Sequence, residues 1–189
     1  MPGVVFSKEA FPAKKMYRLA VLLCFSGLSF GQIQLYWHFQ QSRTYRLETN
    51  LGQIILPQEK KSEIFSAAIE YIQAQTPQDA TLVAFPEGVF LNVLAHRASP
   101  WGFPHFFPVD MELFGEDTFL DQLKRAPPTH IAIVHRRTSE YGRTTFGQDY
   151  ARELAGWLRA HYQPIQVFGA MPFQSDAFGI MLAQKKANP

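Results

Sequence analysis

A glutamate stands between two apolar runs in the sequence FPEG, at residues 85–88. Residues 80–85 have the length and composition of a buried strand, and residues 88–96 have helical spacing. A carboxylate in the first turn of a helix is stabilised by the helix dipole, and Pro86 suits a helix start. The same carboxylate can instead accept hydrogen bonds from a sugar or pair with an arginine, so Glu87 is a candidate binding residue.

Acid–base catalysis by Glu87 needs a second group within hydrogen-bond reach. The candidates in the sequence are Arg97, His135 and Glu140. An independent hydrolase or transferase that uses Glu87 and His135 is therefore one hypothesis, and a carboxylate that only binds a ligand is another. In the second case we expect Glu87 to pair with Arg97 or Arg136.

The run HRRTSEYG, at residues 135–142, places two arginines directly after an apolar, strand-like segment. Arg136 and Arg137 can make forked contacts to phosphate oxygens. The alternative is a solvated loop in which Arg137 pairs with Glu140. The run has no glycine-rich phosphate loop, which argues against nucleotide folds of the P-loop or dinucleotide type. Ser139 lacks a Gly-x-Ser-x-Gly context, which argues against a serine hydrolase.

Metal, disulfide and nucleic-acid chemistry have little support in the sequence. Its six histidines show no spacing such as His-Glu-x-x-His, so we predict no metal and no cofactor. The one cysteine, Cys24, lies in an apolar run and excludes both an internal disulfide and a cysteine-based zinc site. A net charge of +2 without a long basic run argues against a nucleic-acid partner.

An aromatic loop is the least ordinary stretch of the chain. Four large aromatic residues lie within WGFPHFFP, at residues 101–108. Such a loop can close the core, form a rim at a membrane surface or supply a platform on which a sugar stacks. A lid over the core is the default among these roles, and the other two stay open.

Secondary-structure elements must position these residues, and the hydrophobic periodicity predicts an alternation of strands and helices. We predict strands at residues 80–85, 130–134, 165–168 and 178–182, and helices at residues 59–74, 88–96, 118–125 and 146–162. A hairpin is predicted at residues 45–56, with its turn at residues 50–52. The alternation favours an α/β fold with a small, mostly parallel sheet flanked by helices.

The ends of the predicted strands select three loops. Ligands of open α/β sheets bind outside the carboxyl ends of the strands. The loops at residues 85–88, 135–142 and 169–173 follow three predicted strands. We expect these loops to converge on one edge if the strands are adjacent and parallel.

The N-terminal part is the most apolar. Residues 19–39 contain no Asp, Glu, Lys or Arg, and at about 1.5 Å per residue such a helix crosses a hydrocarbon layer of about 30 Å. The basic residues before it favour a cytoplasmic N-terminus. We predict a basic leader at residues 1–15, a transmembrane helix or signal anchor at residues 16–40, and an extracytoplasmic α/β domain at residues 43–185. A cleaved signal peptide and a buried soluble helix are the alternatives.

A series of short motifs runs in a fixed order through about residues 43–185. They are Glu48 with Gly52, FPEG with Leu91-Asn92, Arg97 with Ser99-Pro100, Pro127-Pro128, Val134-His135-Arg136, TSEYG at residues 138–142, Phe146-Gly147, Asp149-Tyr150, Phe168-Gly169, Pro172-Phe173 and Phe178-Gly179. In this order they resemble the C-terminal extracytoplasmic domain of bacterial polytopic membrane glycosyltransferases. The group in question is similar to dolichyl-phosphate-mannose–protein mannosyltransferases and uses polyprenyl-phosphate sugars.

The resemblance implies an accessory function. In such enzymes the catalytic carboxylate lies in an early extracytoplasmic loop among many membrane helices, whereas this chain resembles the last helix plus the terminal domain. It implies a truncated reading frame, a split subunit or a free-standing relative that does not transfer sugar alone. The implied place is the inner (cytoplasmic) membrane, with one span and the C-terminal domain outside the cytoplasm. The implied partners are the lipid bilayer and either a polyprenyl-phosphate sugar or a membrane glycosyltransferase core.

Ligands bind at the carboxyl ends of the strands in open α/β sheets. Together with the resemblance, this predicts substrate-binding residues in the domain but identifies no catalytic residue. The assigned residues are Glu87, Asn92, Arg97, His135, Arg136, Ser139, Glu140 and Tyr141. A purely structural interaction module is the further alternative, in which none of these side chains contributes to ligand affinity.

Overall fold

The computed structural model describes residues 13–41, 43–49, 52–57 and 60–187. The helices are α1 (Ala13–Gln41), α2 (Lys60–Gln75), α3 (Val89–Ala95), α4 (Pro108–Phe114), α5 (Glu116–Arg125) and α6 (Arg152–His161). The strands are β1 (Arg43–Thr49), β2 (Gly52–Pro57), β3 (Leu82–Phe85), β4 (His130–Val134), β5 (Tyr162–Gly169) and β6 (Gly179–Lys185). The chain divides into two compact units, Met1–Thr44 and Tyr45–Pro189.

The first unit is dominated by α1, which extends the predicted apolar segment by a few residues at its start. Lys15–Gln41 has a mean hydropathy of 1.5, and none of its most apolar window is buried against protein. In length and composition this is the one helix in the described part of the chain that can cross a membrane. An N-terminal signal sequence has the same properties, so α1 fits either an anchor or a signal sequence.

The second unit is built on a four-stranded sheet of order β3-β4-β6-β5. Strands β3 and β4 pair in parallel, and β6 pairs antiparallel with both β4 and β5. The sheet is therefore mixed, whereas the sequence predicted a mostly parallel one. The difference arises because the chain turns back after β5, through the loop at residues 170–178, and β6 inserts between β5 and β4.

Both faces of β3 and β4 are buried, as expected for strands with continuous apolar runs, whereas the edge strand β5 is largely exposed or half-buried. Along β3, Leu82 and Ala84 join a hydrophobic cluster with α2 and α3, while Val83 and Phe85 join a second cluster with α5 and α6. Because successive residues of a strand point to opposite faces, the sheet is covered by helices on both sides. The predicted α/β class is confirmed.

The hairpin of β1 and β2 forms a separate two-stranded sheet. It packs on α2: Leu47 is buried in the cluster that includes α2, and the Tyr45 hydroxyl donates a hydrogen bond to Ser66 Oγ over 2.8 Å. The strands of the predicted hairpin are confirmed. The turn residues Asn50 and Leu51, and the side chain of Glu48, lie outside the described residues.

Two local predictions were wrong. The helix predicted at residues 146–162 begins only at Arg152, because Gly147 and Ala151 adopt positive φ values of 76° and 52°. Helix α4 falls where no helix was predicted. It begins with a proline, and the Asp110 carboxylate accepts the backbone N–H of Phe107 over 2.7 Å, as a residue near a helix start can do.

Candidate functional site

The loops after β3, β4 and β5 lie at one edge of the sheet. Strands β3 and β4 are parallel, and β5 has the same direction because both β4 and β5 are antiparallel to β6. We call this region the carboxyl edge and define it as residues 86–88, 135–142 and 170–178. The predicted convergence of the three loops is therefore observed, although β5 and β4 are not neighbours.

Arg136 joins the first two loops. Its Nε lies 3.3 Å from Glu87 Oε2, and its Nη2 pairs with Glu140 Oε1. Its Nη1 also donates to the backbone carbonyl of Arg137. Of the two arginines expected to pair with Glu87, the structure selects Arg136, and the guanidinium is shared between two carboxylates.

The charges around Arg136 favour its ionised state. Desolvation acts to lower the pKa of Arg136, but hydrogen bonds and charges from Glu140 and Glu87 outweigh it and raise that pKa. A hydrogen bond from its own backbone amide, together with Arg136, lowers the pKa of Glu140. The three groups form an exposed ion-pair network, and a network of this kind orients side chains more than it stabilises the fold.

Three rings lie beside this network. The Phe107 ring stacks with Tyr141 at a centroid distance of 5.2 Å and with His105 at 4.9 Å. The guanidinium carbon of Arg136 lies 5.9 Å from the centre of the Phe107 ring. Phe107 is buried, whereas Tyr141 and the side chain of His105 are each 43% exposed. The outer rings therefore offer aromatic surface to a ligand.

The aromatic loop that supplies His105 and Phe107 is held in two ways. The backbone N–H of Phe106 donates to Pro86 O over 2.7 Å, which ties the loop to the turn after β3. His105 Nδ1 lies 2.7 Å from the Asp110 carboxylate. Other members of the loop, Trp101 and Phe106, are buried in the second cluster, so the loop is a core lid that also presents rings at the carboxyl edge.

His105, Phe107 and Asp110 were not among the residues assigned from the sequence. The aromatic content of residues 101–108 was visible, and stacking on a sugar was one of the roles left open. What sequence reasoning lacked was the position of the loop relative to Glu87. No local sequence pattern gives that position, because it depends on the long-range hydrogen bond from Phe106 to Pro86.

The third loop meets the second at His135. The backbone N–H of Phe173 donates to His135 Nδ1 over 3.0 Å, and the two rings stack at 5.3 Å. Burial, followed by the charge of Arg137, lowers the pKa of His135. The imidazole is therefore favoured in its neutral form, and because Nδ1 accepts, its proton lies on Nε2.

Arg137 has a different partner from the predicted one. It pairs with Asp176 in the loop between β5 and β6, while Glu140 is taken by Arg136. Glu140, in the 3₁₀ turn at Ser139–Tyr141, thus pairs with the arginine four positions before it rather than with the one three positions before it. Ser139 begins this turn and is exposed.

Two of the assigned residues lie away from the carboxyl edge. Asn92 donates from its Nδ2 to the carbonyls of Leu82 and Arg97, over 2.6 and 3.0 Å. Arg97 is 6% exposed and directs its guanidinium at Thr76 and at backbone carbonyls. Leu82 is the first residue of β3, so this pair lies at the opposite end of that strand and does not join the cluster around Arg136.

The carboxyl edge can bind a ligand through mixed hydrogen bonding. Carboxylates accept, guanidinium groups and Nε2 of His135 donate, and exposed rings offer apolar contact. Because Arg136 and Arg137 are each paired with a carboxylate, the surface is nearly balanced in charge and suits a neutral polar ligand better than a bare phosphate. Among the described residues, no group of three His, Cys, Asp or Glu side chains is placed to hold a metal ion.

No family model, no curated protein and no solved structure matches the chain.

Proposed function

We propose that this chain is a membrane-anchored accessory domain that binds a sugar at its carboxyl edge, in the service of a polyprenyl-phosphate-sugar-dependent glycosyltransferase. The observation that carries the proposal is Arg136, held between Glu87 and Glu140 beside the exposed rings of His105 and Tyr141. Sugar hydroxyls both donate and accept hydrogen bonds, and their C–H faces stack on rings, so this group of side chains is chemically matched to them.

The geometry favours binding over catalysis. A general base needs a free lone pair directed at the reacting proton. In neutral His135 the one ring nitrogen with a lone pair is Nδ1, and it accepts the Phe173 N–H. Glu87, the other group of the catalytic alternative, is paired with Arg136. This supports an accessory role for the chain and disfavours an independent hydrolase.

The membrane part of the proposal rests on α1 and on the resemblance described above. An uncleaved α1 anchors the domain in the inner (cytoplasmic) membrane, and the basic residues before it favour a domain outside the cytoplasm. Polyprenyl-phosphate sugars are themselves membrane-bound, so an anchor would raise the local concentration of domain and ligand together.

Sugar binding can be tested with the full chain in phosphatidylcholine nanodiscs. The ligands are methyl hexosides and short-chain polyprenyl phosphate hexoses, and binding is measured by saturation-transfer difference NMR and calorimetry. We expect at least one hexose to bind, and Glu87→Gln and Tyr141→Ala each to weaken that binding about five- to tenfold through lost hydrogen bonds or stacking. Glu70→Gln, an exposed carboxylate on α2, is the matched control and should leave affinity unchanged.

Two outcomes would count against the proposal. The first is absence of hexose binding by a chain with a native circular dichroism spectrum. The second is turnover of aryl glycosides or phosphoesters by the chain alone, lost in Glu87→Gln, which would support the independent hydrolase instead.

A further inference from the structure

An apolar cavity lies on the opposite face of the sheet from α2, beneath α6. Its volume is 230 Å³, and alternate residues of the sheet form its floor, including Ile133 of β4 and Met181 of β6. Leu158 of α6 forms part of its roof. For comparison, an apolar cavity of about 150 Å³ lined by similar residues takes up benzene. This cavity is therefore large enough for an organic ligand.

Arg159 is the charged residue in the lining of the cavity. It is exposed, and its guanidinium makes no hydrogen bond or ion pair within the part of the chain that the structure describes. The arginines of the carboxyl edge differ, since Arg136 and Arg137 both have carboxylate partners. Arg159 thus leaves an uncompensated positive charge beside an apolar cavity.

A second cation lies near Arg159. Lys186 Nζ donates to the backbone carbonyls of Arg159 and Ala160, over 3.3 and 2.7 Å, at the end of α6. The charge of this region is therefore positive and complementary to an anion. Phe173 also lines the cavity; its ring stacks on His135 and its backbone has a φ of 65°. A left-handed conformation is unusual for a phenylalanine, and the hydrogen bond to His135 helps to hold it there.

We propose that this cavity binds the apolar chain of a single-chain anionic amphiphile, with the anionic group at Arg159. Since a water-sized group takes up about 30 Å³, and a methylene is of similar size, the cavity accommodates a chain of roughly eight carbons. A chain of this size replaces water next to Ile133, Leu158 and Met181, and the head group supplies the counter-charge that Arg159 lacks. The cavity shares Phe173 with the carboxyl edge, but the rest of its lining lies outside that edge. The proposed binding of an amphiphile does not depend on the binding of a sugar.

The test uses the full chain in phosphatidylcholine nanodiscs and a diazirine-bearing octyl phosphate as a photoreactive probe. Mass spectrometry of the labelled peptides locates the probe. We expect saturable labelling of peptides from α6, β5 and β6. We also expect octyl phosphate to compete and octanol to compete much less, with octanoate showing whether a carboxylate serves as well as a phosphate.

Two substitutions examine head-group and chain recognition separately. Arg159→Gln should raise the half-saturating probe concentration about fivefold, as the loss of one exposed charge pair predicts. Arg125→Gln, an exposed arginine at the end of α5, should not change it. Met181→Trp fills the cavity and should abolish labelling there, whereas Leu113→Trp, at a residue that is 71% exposed on α4, should leave it intact.

Three results would overturn the proposal. They are labelling confined to α1, which indicates partitioning into the bilayer; equal competition by octanol; and unchanged saturation in Arg159→Gln. Thermal unfolding of each variant verifies that it is folded. Hexose binding, measured on the same samples, reports on the carboxyl edge separately, so the two proposals can fail independently.

Discussion

Arg97 and Arg136 have the same side chain and entirely different surroundings. Arg136 lies on the surface between two carboxylates, whereas Arg97 is buried and donates to carbonyl oxygens. Both arrangements use the planar fork of donors that a guanidinium provides. The sequence could identify two candidate binding arginines, but it could not distinguish them, because burial depends on where the loop after α3 lies relative to α2.

At the residue scale, His135 should make the free energy of unfolding depend on pH. Its pKa is lowered, first by burial and then by Arg137, whereas a histidine in the unfolded chain titrates near pH 6.5. The unfolded state therefore binds more protons over this range, so the contribution of His135 to stability is complete above about pH 6.5 and is lost as pH falls through its folded pKa. We expect the free energy of unfolding to depend less steeply on pH in His135→Asn than in the wild type.

The measurement is urea unfolding followed by circular dichroism between about pH 7 and pH 5. Asparagine keeps an acceptor for the Phe173 N–H while removing the titration. Buried His130, whose pKa is also lowered by burial and then by Arg97, remains in both proteins. His96→Asn, at an exposed histidine, is the control. A slope in His135→Asn equal to that of the wild type would contradict the assignment.

At the element scale, Arg97 connects the ends of two helices. Its six hydrogen bonds go to Thr76 Oγ1, to Ile72, Gln73 and Thr76 carbonyls at the end of α2, and to Ala95 and His96 carbonyls at the end of α3. The last carbonyls of a helix have no partner within the helix. Arg97 therefore caps both helices at once.

We expect Arg97→Ala to lower the free energy of unfolding by about 2–4 kcal/mol, because it leaves several buried carbonyls without a donor. Arg125→Ala, at an exposed position, should change it by less than about 0.5 kcal/mol. Chemical denaturation of both variants makes the comparison. Hexose affinity should be unchanged in Arg97→Ala where the variant is folded, and a selective loss of affinity would place Arg97 in the binding site after all.

The helices and strands differ in how far the sequence predicted them. Strand β4 was predicted with its observed bounds, since a run of apolar residues between Pro128 and His135 leaves little choice. Residues 146–151 were assigned to a helix because their aromatic spacing fits one. The Asp149 carboxylate instead accepts the backbone N–H groups of Thr144 and Thr145, over 3.2 and 2.9 Å, and forms a turn. Local hydrogen bonding of an aspartate competes with helix formation and is hard to recognise from spacing alone.

At the scale of the whole molecule, the candidate site was only partly predictable. The sequence predicted that Glu87, His135 and Arg136 lie at the same edge of the sheet. This prediction requires only the direction of the strands, because ligands bind outside their carboxyl ends. The position of β6 between β4 and β5, and the placement of the aromatic loop beside Arg136, depend on tertiary packing. Asn92 donates hydrogen bonds to backbone carbonyls within the fold. The sequence alone could not distinguish a residue of this kind from a ligand-binding residue on the surface.

Helix α1 should determine whether the chain associates with membranes. We expect the chain to sediment with the membrane fraction of the cells that express it and to resist a carbonate wash, because its apolar helix is long enough to span the bilayer. Deletion of residues 1–42 should release the domain. Intact mass spectrometry then distinguishes an anchor, which keeps residues 1–42, from a signal sequence, which is removed. Full-length protein that is soluble without detergent would contradict both.

The order of the strands has a consequence for biosynthesis. Strand β6 follows β3, β4 and β5 in sequence, yet it lies between β4 and β5. A polypeptide emerges amino end first, from the ribosome or from a translocation channel, so β3, β4 and β5 appear before the strand that joins β5 to the others. Until residues 179–185 have emerged, β4 has an open edge and the nascent domain cannot complete its sheet. Protection of the nascent sheet from proteases therefore depends on a strand that is made after the strands it joins.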